Sequence, residues 1–138
     1  MKIFIDANIL VAVLNKEYPV FTYSSRILSL ADSTKFKLYT SPLCLAIAFY
    51  FSSKKSGEKK AKEKIAILSK KISLVSITQH SVQQALANPQ VNDLEDGFQY
   101  YSALENGCTC IITEDRDDFY FSEIGVLGAE AFLKQHVF

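Results

Sequence analysis

Fifteen of the 138 residues are acidic, and it is their placement that suggests chemistry. Asp6 directly follows the apolar run Ile3-Phe4-Ile5. Asp93, Glu95 and Asp96 crowd the start of a helical pattern. Glu114, Asp115, Asp117 and Asp118 follow a second apolar run, Cys108 to Thr113. Carboxylates gathered in one place raise each other's pKa values unless a cation sits among them. Oxygen donors without His or Cys select a hard cation, Mg²⁺ or Mn²⁺. One or two such ions can activate a water and steady the charge that develops on a phosphodiester during in-line attack. Metal-assisted phosphodiester hydrolysis is therefore the reaction class these residues suit. Taken singly, each acid has a plainer account. Asp93 reads as a helix cap, Glu95 and Asp96 as favourable charges at the positive end of a helix, and Asp115 and Asp117 as loop residues. The combination of Asp6, Asp96 and the last loop is what points to a site.

The elements that must position these groups can be read from apolar periodicity and capping residues. Ile3 to Ile5 predicts a short first strand, and Asn8 is placed to cap a helix over Ile9 to Leu14. A second helix follows Pro19 and is closed by Asp32-Ser33-Thr34. Phe36 to Tyr39 predicts a second strand. Thr40 and Ser41 can cap the next helix, Leu43 to Ser53, with Pro42 at its first position, where a missing N–H costs nothing. That helix is apolar almost all round, so it is expected to be buried against the sheet or a second copy of the protein. Beyond Ser56-Gly57, Glu58 to Lys71 carries a helical stripe (Ala61, Ile65, Leu68, Ile72), with Glu58–Lys62 and Lys59–Glu63 spaced to pair weakly. Ile72 to Ile77 alternates like a strand. Thr78 caps a short helix to about Ala87, and Asn88-Pro89 makes a turn. Asp93 caps a long helix that Asn106-Gly107 ends. Cys108 to Thr113 predicts a buried strand and Gly125 to Leu127 a short final one, followed by a helix from Ala129.

Strands alternating with helices imply a mostly parallel sheet covered on both faces, a single three-layer α/β/α domain spanning 1–138. In a parallel sheet the carboxyl ends of strands and the starts of helices share one edge, so all three acidic groups are expected on one rim.

The hydrophobic share of 49%, with five Gly and three Pro, predicts a packed globular chain rather than a disordered one. Cys44, Cys108 and Cys110 are odd in number and lie in apolar runs, as reduced core residues of a cytosolic protein do, and no zinc spacing is present. No apolar run is long enough to span a bilayer, and the first residues lack the pattern of a signal peptide, so a soluble, cytoplasmic protein is expected. Lys and Arg balance Asp and Glu at 15 each, but unevenly: Lys54 to Lys71 holds eight lysines and two glutamates, whereas Asp93 to Asp118 holds eight acids and one arginine. Lys54, Lys55, Lys59 and Lys60 could follow an RNA backbone through contacts indifferent to base identity. A solvated helix face accounts for them equally well.

Three segments together resemble a known family. They are Ile-Asp-Ala-Asn-Ile-Leu at the start, Asp-Leu-Glu-Asp-Gly-Phe-Gln-Tyr-Tyr-Ser-Ala-Leu in the long helix, and Cys-Ile-Ile-Thr-Glu-Asp-Arg-Asp-Asp-Phe near the end. In this order and spacing, over essentially the whole chain, they look like a PIN domain of the VapC-like toxin ribonuclease type. The resemblance implies a Mg²⁺- or Mn²⁺-dependent ribonuclease, usually dimeric and paired with an antitoxin protein. It carries the family's metal-binding and catalytic aspartates onto Asp6, Asp96 and Asp118, with Asp115 as the accompanying polar position and Asn8 and Thr113 as supporting residues. One departure is plain. The family's glutamate in the helix after the second strand has no counterpart, since Ser41 to Phe51 contains no acid and Ile47 stands nearest the expected place. Glu95 or Asp93 is the candidate for the missing oxygen.

Other classes fit less well. A haloacid-type phosphatase needs a second aspartate where Asn8 stands, and a receiver domain needs paired acids on its first loop. The remaining rival is a PIN fold that has lost catalysis and binds RNA or a protein partner. Separately, Leu43 to Phe51, with Phe21 and Tyr23, offers a dimer face or an antitoxin groove, although core burial explains the same residues. Tyr100 and Tyr101 read as packing residues.

Overall fold

The computed structural model describes residues 1–138. Five strands form one sheet: β1 (Lys2–Ile5), β2 (Lys37–Thr40), β3 (Ser73–Leu74), β4 (Cys110–Ile112) and β5 (Gly125–Leu127), in the order β3-β2-β1-β4-β5. Every pairing is parallel, so the sheet is fully rather than mostly parallel. Its central strands carry the fully buried Ile3, Phe4, Ile5, Leu38, Ile111 and Ile112, the continuous apolar runs expected of strands covered on both faces.

The helices are α1 (Ala7–Leu14), α2 (Val20–Ser29), α3 (Pro42–Ser56), α4 (Glu58–Ser69), α5 (Gln79–Ala87), α6 (Leu94–Glu105) and α7 (Ala129–His136). The chain steps from β1 to β2 to β3 in one direction, and right-handed crossovers put α1 to α4 on one face. It then returns past β2 and β1 to β4, which puts α5 and α6 on the other face. The direction of winding thus reverses between β1 and β4, and the carboxyl ends of neighbouring strands at such a switch point open a crevice.

Several local expectations are corrected. Asp6, not Asn8, is the N-cap of α1: its side chain accepts from the Ala7 N–H, and Asn8 lies inside the helix. Ser41 alone caps α3, by accepting from the Cys44 N–H, while the Thr40 hydroxyl donates to the Ile5 carbonyl. The predicted strand Ile72 to Ile77 shrinks to Ser73–Leu74, because β3 is the sheet edge and pairs only with β2; short edge strands leave few unpaired groups. The Cys108 to Thr113 strand is regular only over Cys110–Ile112, although Thr109 and Thr113 still donate to the Lys2 and Leu127 carbonyls.

The apolar helix α3 is not buried all round. Cys44, Ala48 and Ser52 form its buried stripe, small residues spaced four apart that let neighbouring helices approach, whereas Tyr50 and Phe51 are 53% and 47% exposed. Gly57, at φ +86°, allows the sharp turn from α3 into α4. On α4 the predicted pairs do not form; the chain's two ion pairs are Lys71–Asp32 and Lys134–Glu130. Tyr100 is buried and its hydroxyl accepts from the Glu123 N–H, while the Tyr101 hydroxyl accepts from Asn88, so both are packing residues as expected.

Candidate active site

Ile5 of β1 and Ile112 of β4 are register partners, so the residues that follow them, Asp6 and Thr113, leave the sheet side by side. The Asp6 N–H donates to the Ile112 carbonyl at 3.0 Å, and the Thr113 hydroxyl donates to Asp6 Oδ2 at 2.8 Å. Asp6 Oδ1 accepts from the Ala7 N–H at 2.8 Å. Asn8 ties the edge together: its Nδ2 donates to Thr113 Oγ1 at 2.8 Å and to Asp6 Oδ2 and Asp115 Oδ2, each at 3.3 Å. Its Oδ1 in turn accepts from the Glu114 N–H at 3.0 Å. A helix, a strand end and the last acidic loop are thereby clamped to one carboxylate.

Above this junction lies a cavity of about 380 Å³ lined by Asp6, Ala7, Asn8, Val11, Glu17, Ile47, Phe51, Glu95, Asp96, Asp115 and Asp118. Six of these side chains are carboxylic acids and none is basic. The electrostatic consequence is consistent across the site. Burial raises the pKa of Asp6, against the lowering effect of its bonds to Thr113 and Ala7, and Asp115 and Asp118 push it further up. Burial and the charges of Asp93, Asp118, Asp6 and Glu95 push Asp96 up to about 7. Glu95 and Asp118 shift the same way, by burial first and neighbouring carboxylates second. Cys44 points its thiol at Asp6 Oδ1, 3.8 Å away; burial pushes that thiol up to about 12, so it faces the carboxylate as a neutral group.

The structure thus gathers Asp6, Asn8, Glu95, Asp96, Asp115 and Asp118 from the three acidic groups, with Thr113 buried beneath them. Other predicted residues stay outside. Asp93 accepts from the Glu95 N–H as the cap of α6 and does not line the cavity. Glu114 turns away to accept from the Ala129 N–H at the start of α7, and Asp117 borders a separate surface hollow. Of the basic stretch, Lys55 donates to the Asn15 carbonyl at the end of α1, Lys54 lies 4.3 Å from the Tyr50 ring centroid, and Lys59 borders a hollow between α3 and α4. Lys60 is exposed on α4, and none of these four lysines lines the cavity. Glu17, Val11 and Phe51 were not anticipated. They reach the cavity from the far end of α1 and the outer turns of α3, and no capping or spacing signal marks them.

No three of the chain's His, Cys, Asp or Glu side chains converge into a ready metal cage. As a donor set, the cavity nevertheless fits a hard cation: oxygen ligands only, charge unopposed by any base, and one carboxylate held in position by three neighbours.

The PIN-domain family pattern matches residues 2–117, and the chain belongs to that family. It is similar to Ribonuclease VapC1 of Aquifex aeolicus (strain VF5), with 28% identity over 97% of this chain and 94% of that protein. Its fold is similar to a chain of the VapBC2 complex of Rickettsia felis, solved bound to a promoter DNA fragment, at a TM-score of 0.70 and 16% identity, covering 92% of this chain and 97% of that one. VapC20 of Mycobacterium tuberculosis, a toxin that cleaves the sarcin-ricin loop, is similar at a TM-score of 0.66 and 19% identity, covering 89% and 98%. No helix is long and apolar enough to cross a membrane.

Proposed function

We propose that this chain is a Mg²⁺- or Mn²⁺-dependent endoribonuclease and the toxin of a toxin–antitoxin pair. The observation that carries the reading is the cavity at the β1/β4 switch point, lined by six acids and no base. The relative named as a ribonuclease, matched over nearly the whole of both chains, supports it. An antitoxin partner is supported by the similarity to a chain of the VapBC2 complex. A homodimer belongs to the same reading.

Asp6, Asp96 and Asp118, with Asp115 beside them, are the residues that would hold the ion. When bound, such an ion polarises a phosphoryl oxygen and lowers the pKa of a coordinated water. The chain supplies the frame. Thr113 and Asn8 fix the orientation of Asp6, so its oxygens are set before any ligand arrives. Burial and the neighbouring carboxylates push Asp96 up to about 7, a cost that a bound cation would relieve. Val11, Ile47 and Phe51 give the cavity an apolar wall that limits water on one side.

The test is cleavage of structured and unstructured RNA with Mn²⁺ by the native chain, Asp6→Asn and Asp96→Asn. Native cleavage with a loss of at least about 100-fold in each variant supports the reading. Equal activity in all three marks a contaminant and overturns it. Light scattering on the same preparation checks the dimer, which requires twice the chain mass. One observation favours a second reading, a PIN fold that binds RNA or a protein without cutting: the apolar Ile47 occupies the cavity wall where the resemblance places a glutamate. Native protein that binds RNA and leaves it intact would select this alternative.

A further inference from the structure

Resting on the metal-dependent reading above, we infer that Glu95 is a ligand of the same ion, and that the first turn of α6 supplies the carboxylate that α3 lacks. The wall that α3 presents to the cavity consists of Ile47 and Phe51, neither of which carries a donor atom. Its nearest polar side chain, Cys44, is neutral and already directed at Asp6. Any oxygen donor beyond the aspartates therefore lies elsewhere on the cavity surface.

Four groups are near enough in the fold to be compared. Asp93 caps α6 through its Oδ1 and lies off the cavity. Asn8 spends its amide on Asp6, Thr113 and Asp115 and its carbonyl on the Glu114 N–H. Glu17 lines the cavity but follows the far end of the eight-residue α1, which separates it from Asp6 by roughly 12 Å of helix. Glu95 lines the cavity next to Asp96, its carboxylate enters no hydrogen bond or ion pair, and it sits in the first turn of a twelve-residue helix, where negative charge is favoured. Of the four, Glu95 alone is both adjacent to the aspartates and uncommitted.

Mn²⁺ is titrated into the native chain, Glu95→Gln, Glu17→Gln and the double variant Glu95→Gln/Ile47→Glu. Calorimetry and Mn²⁺ paramagnetic resonance follow binding without reference to cleavage, and cation-free melting confirms that each variant folds. Loss of one carboxylate ligand is expected to weaken Mn²⁺ binding by about tenfold or more in Glu95→Gln, with Glu17→Gln within about twofold of native. The double variant is expected to regain affinity, because Ile47 faces the same cavity and a glutamate there returns the oxygen from the α3 side. Native-like affinity in Glu95→Gln overturns the inference while leaving the underlying reading intact. A folded double variant no better than Glu95→Gln overturns the exchange between α6 and α3. Absence of Mn²⁺ binding by the native chain overturns this inference together with the reading beneath it.

Discussion

Asp96 carries a clear share of the electrostatic cost of the site. Burial and four neighbouring carboxylates push its pKa from the ordinary 3.8 to about 7, so the folded chain holds a proton that the unfolded chain has already released. Ionising it in the folded state is unfavourable. Stability therefore falls as pH rises from about 4 through 7, and the cost is fully present above that range. Asp6, Glu95 and Asp118 shift in the same direction and add to the trend. The melting temperature in the presence of chelator is expected to be higher at pH 5 than at pH 8. Asp96→Asn should flatten the difference, and Mn²⁺ should raise the melting temperature more at pH 8 than at pH 5. A pH-independent melting temperature in the native chain would count against burial and mutual repulsion as raising the pKa values of these acids.

At the scale of elements, α6 delivers two of the cavity's acids, and its position depends on how closely it can approach α5. Gly97 makes that approach possible: a Cβ there would lie 2.7 Å from Val91 Cγ1 and 2.9 Å from the Ala85 Cβ, both closer than real contacts allow. In a solvent-facing helix Gly→Ala stabilises by about 1 kcal/mol, but overpacking a filled interface costs about 1–3 kcal/mol. Gly97→Ala is therefore expected to destabilise by about 1–2 kcal/mol in urea unfolding and to weaken Mn²⁺ binding, because Asp96 and Glu95 move with the helix. A stabilised variant would show that the α5–α6 packing can relax. The other side of α6 is held by Gln99, whose Oε1 accepts from the buried Ser41 hydroxyl at 2.6 Å. Ser41 also caps α3, so one serine joins the helix that carries the acids to the helix that carries Ile47.

At the scale of the molecule, a chain of zero formal charge is polarised, with an acidic rim over β1 and β4 and lysines clustered along the end of α3 and on α4. Not all of those lysines are free. Lys55 and Lys64 donate to carbonyls at the end of α1, where positive charge offsets the helix dipole. Lys54, Lys59 and Lys60 make no such bond to the backbone. If RNA approaches along this surface, replacing the three with alanine lowers its affinity for all sequences alike. The slope of log affinity against log salt should then fall by about 0.7 for each phosphate that is no longer neutralised. An unchanged slope, measured by fluorescence anisotropy with an uncleavable strand, would mean that this face is simply solvated.

Much of the fold and half of the site were legible in the order of residues. Ile3 to Ile5, the Ser41-Pro42 cap, the Asp93 cap and the Asn106-Gly107 stop are local signals, each set by a few neighbouring residues. They placed Asp6 at a strand end and Asp96 in the first turn of a helix, and the Cys108 to Thr113 run put Asp118 in the loop beyond it, all on one edge. Only the tertiary structure decided which acids meet. Strand order is a long-range matter, and it alone makes Asp6 and Thr113 neighbours across more than a hundred residues. The same packing admits Glu17 and Glu95 to the cavity, turns Asp93 and Glu114 to capping, and spends Lys55 on a helix end. A carboxylate's pattern in sequence is the same in each of these roles; its role follows from which backbone N–H groups and which other charges the folded chain sets beside it.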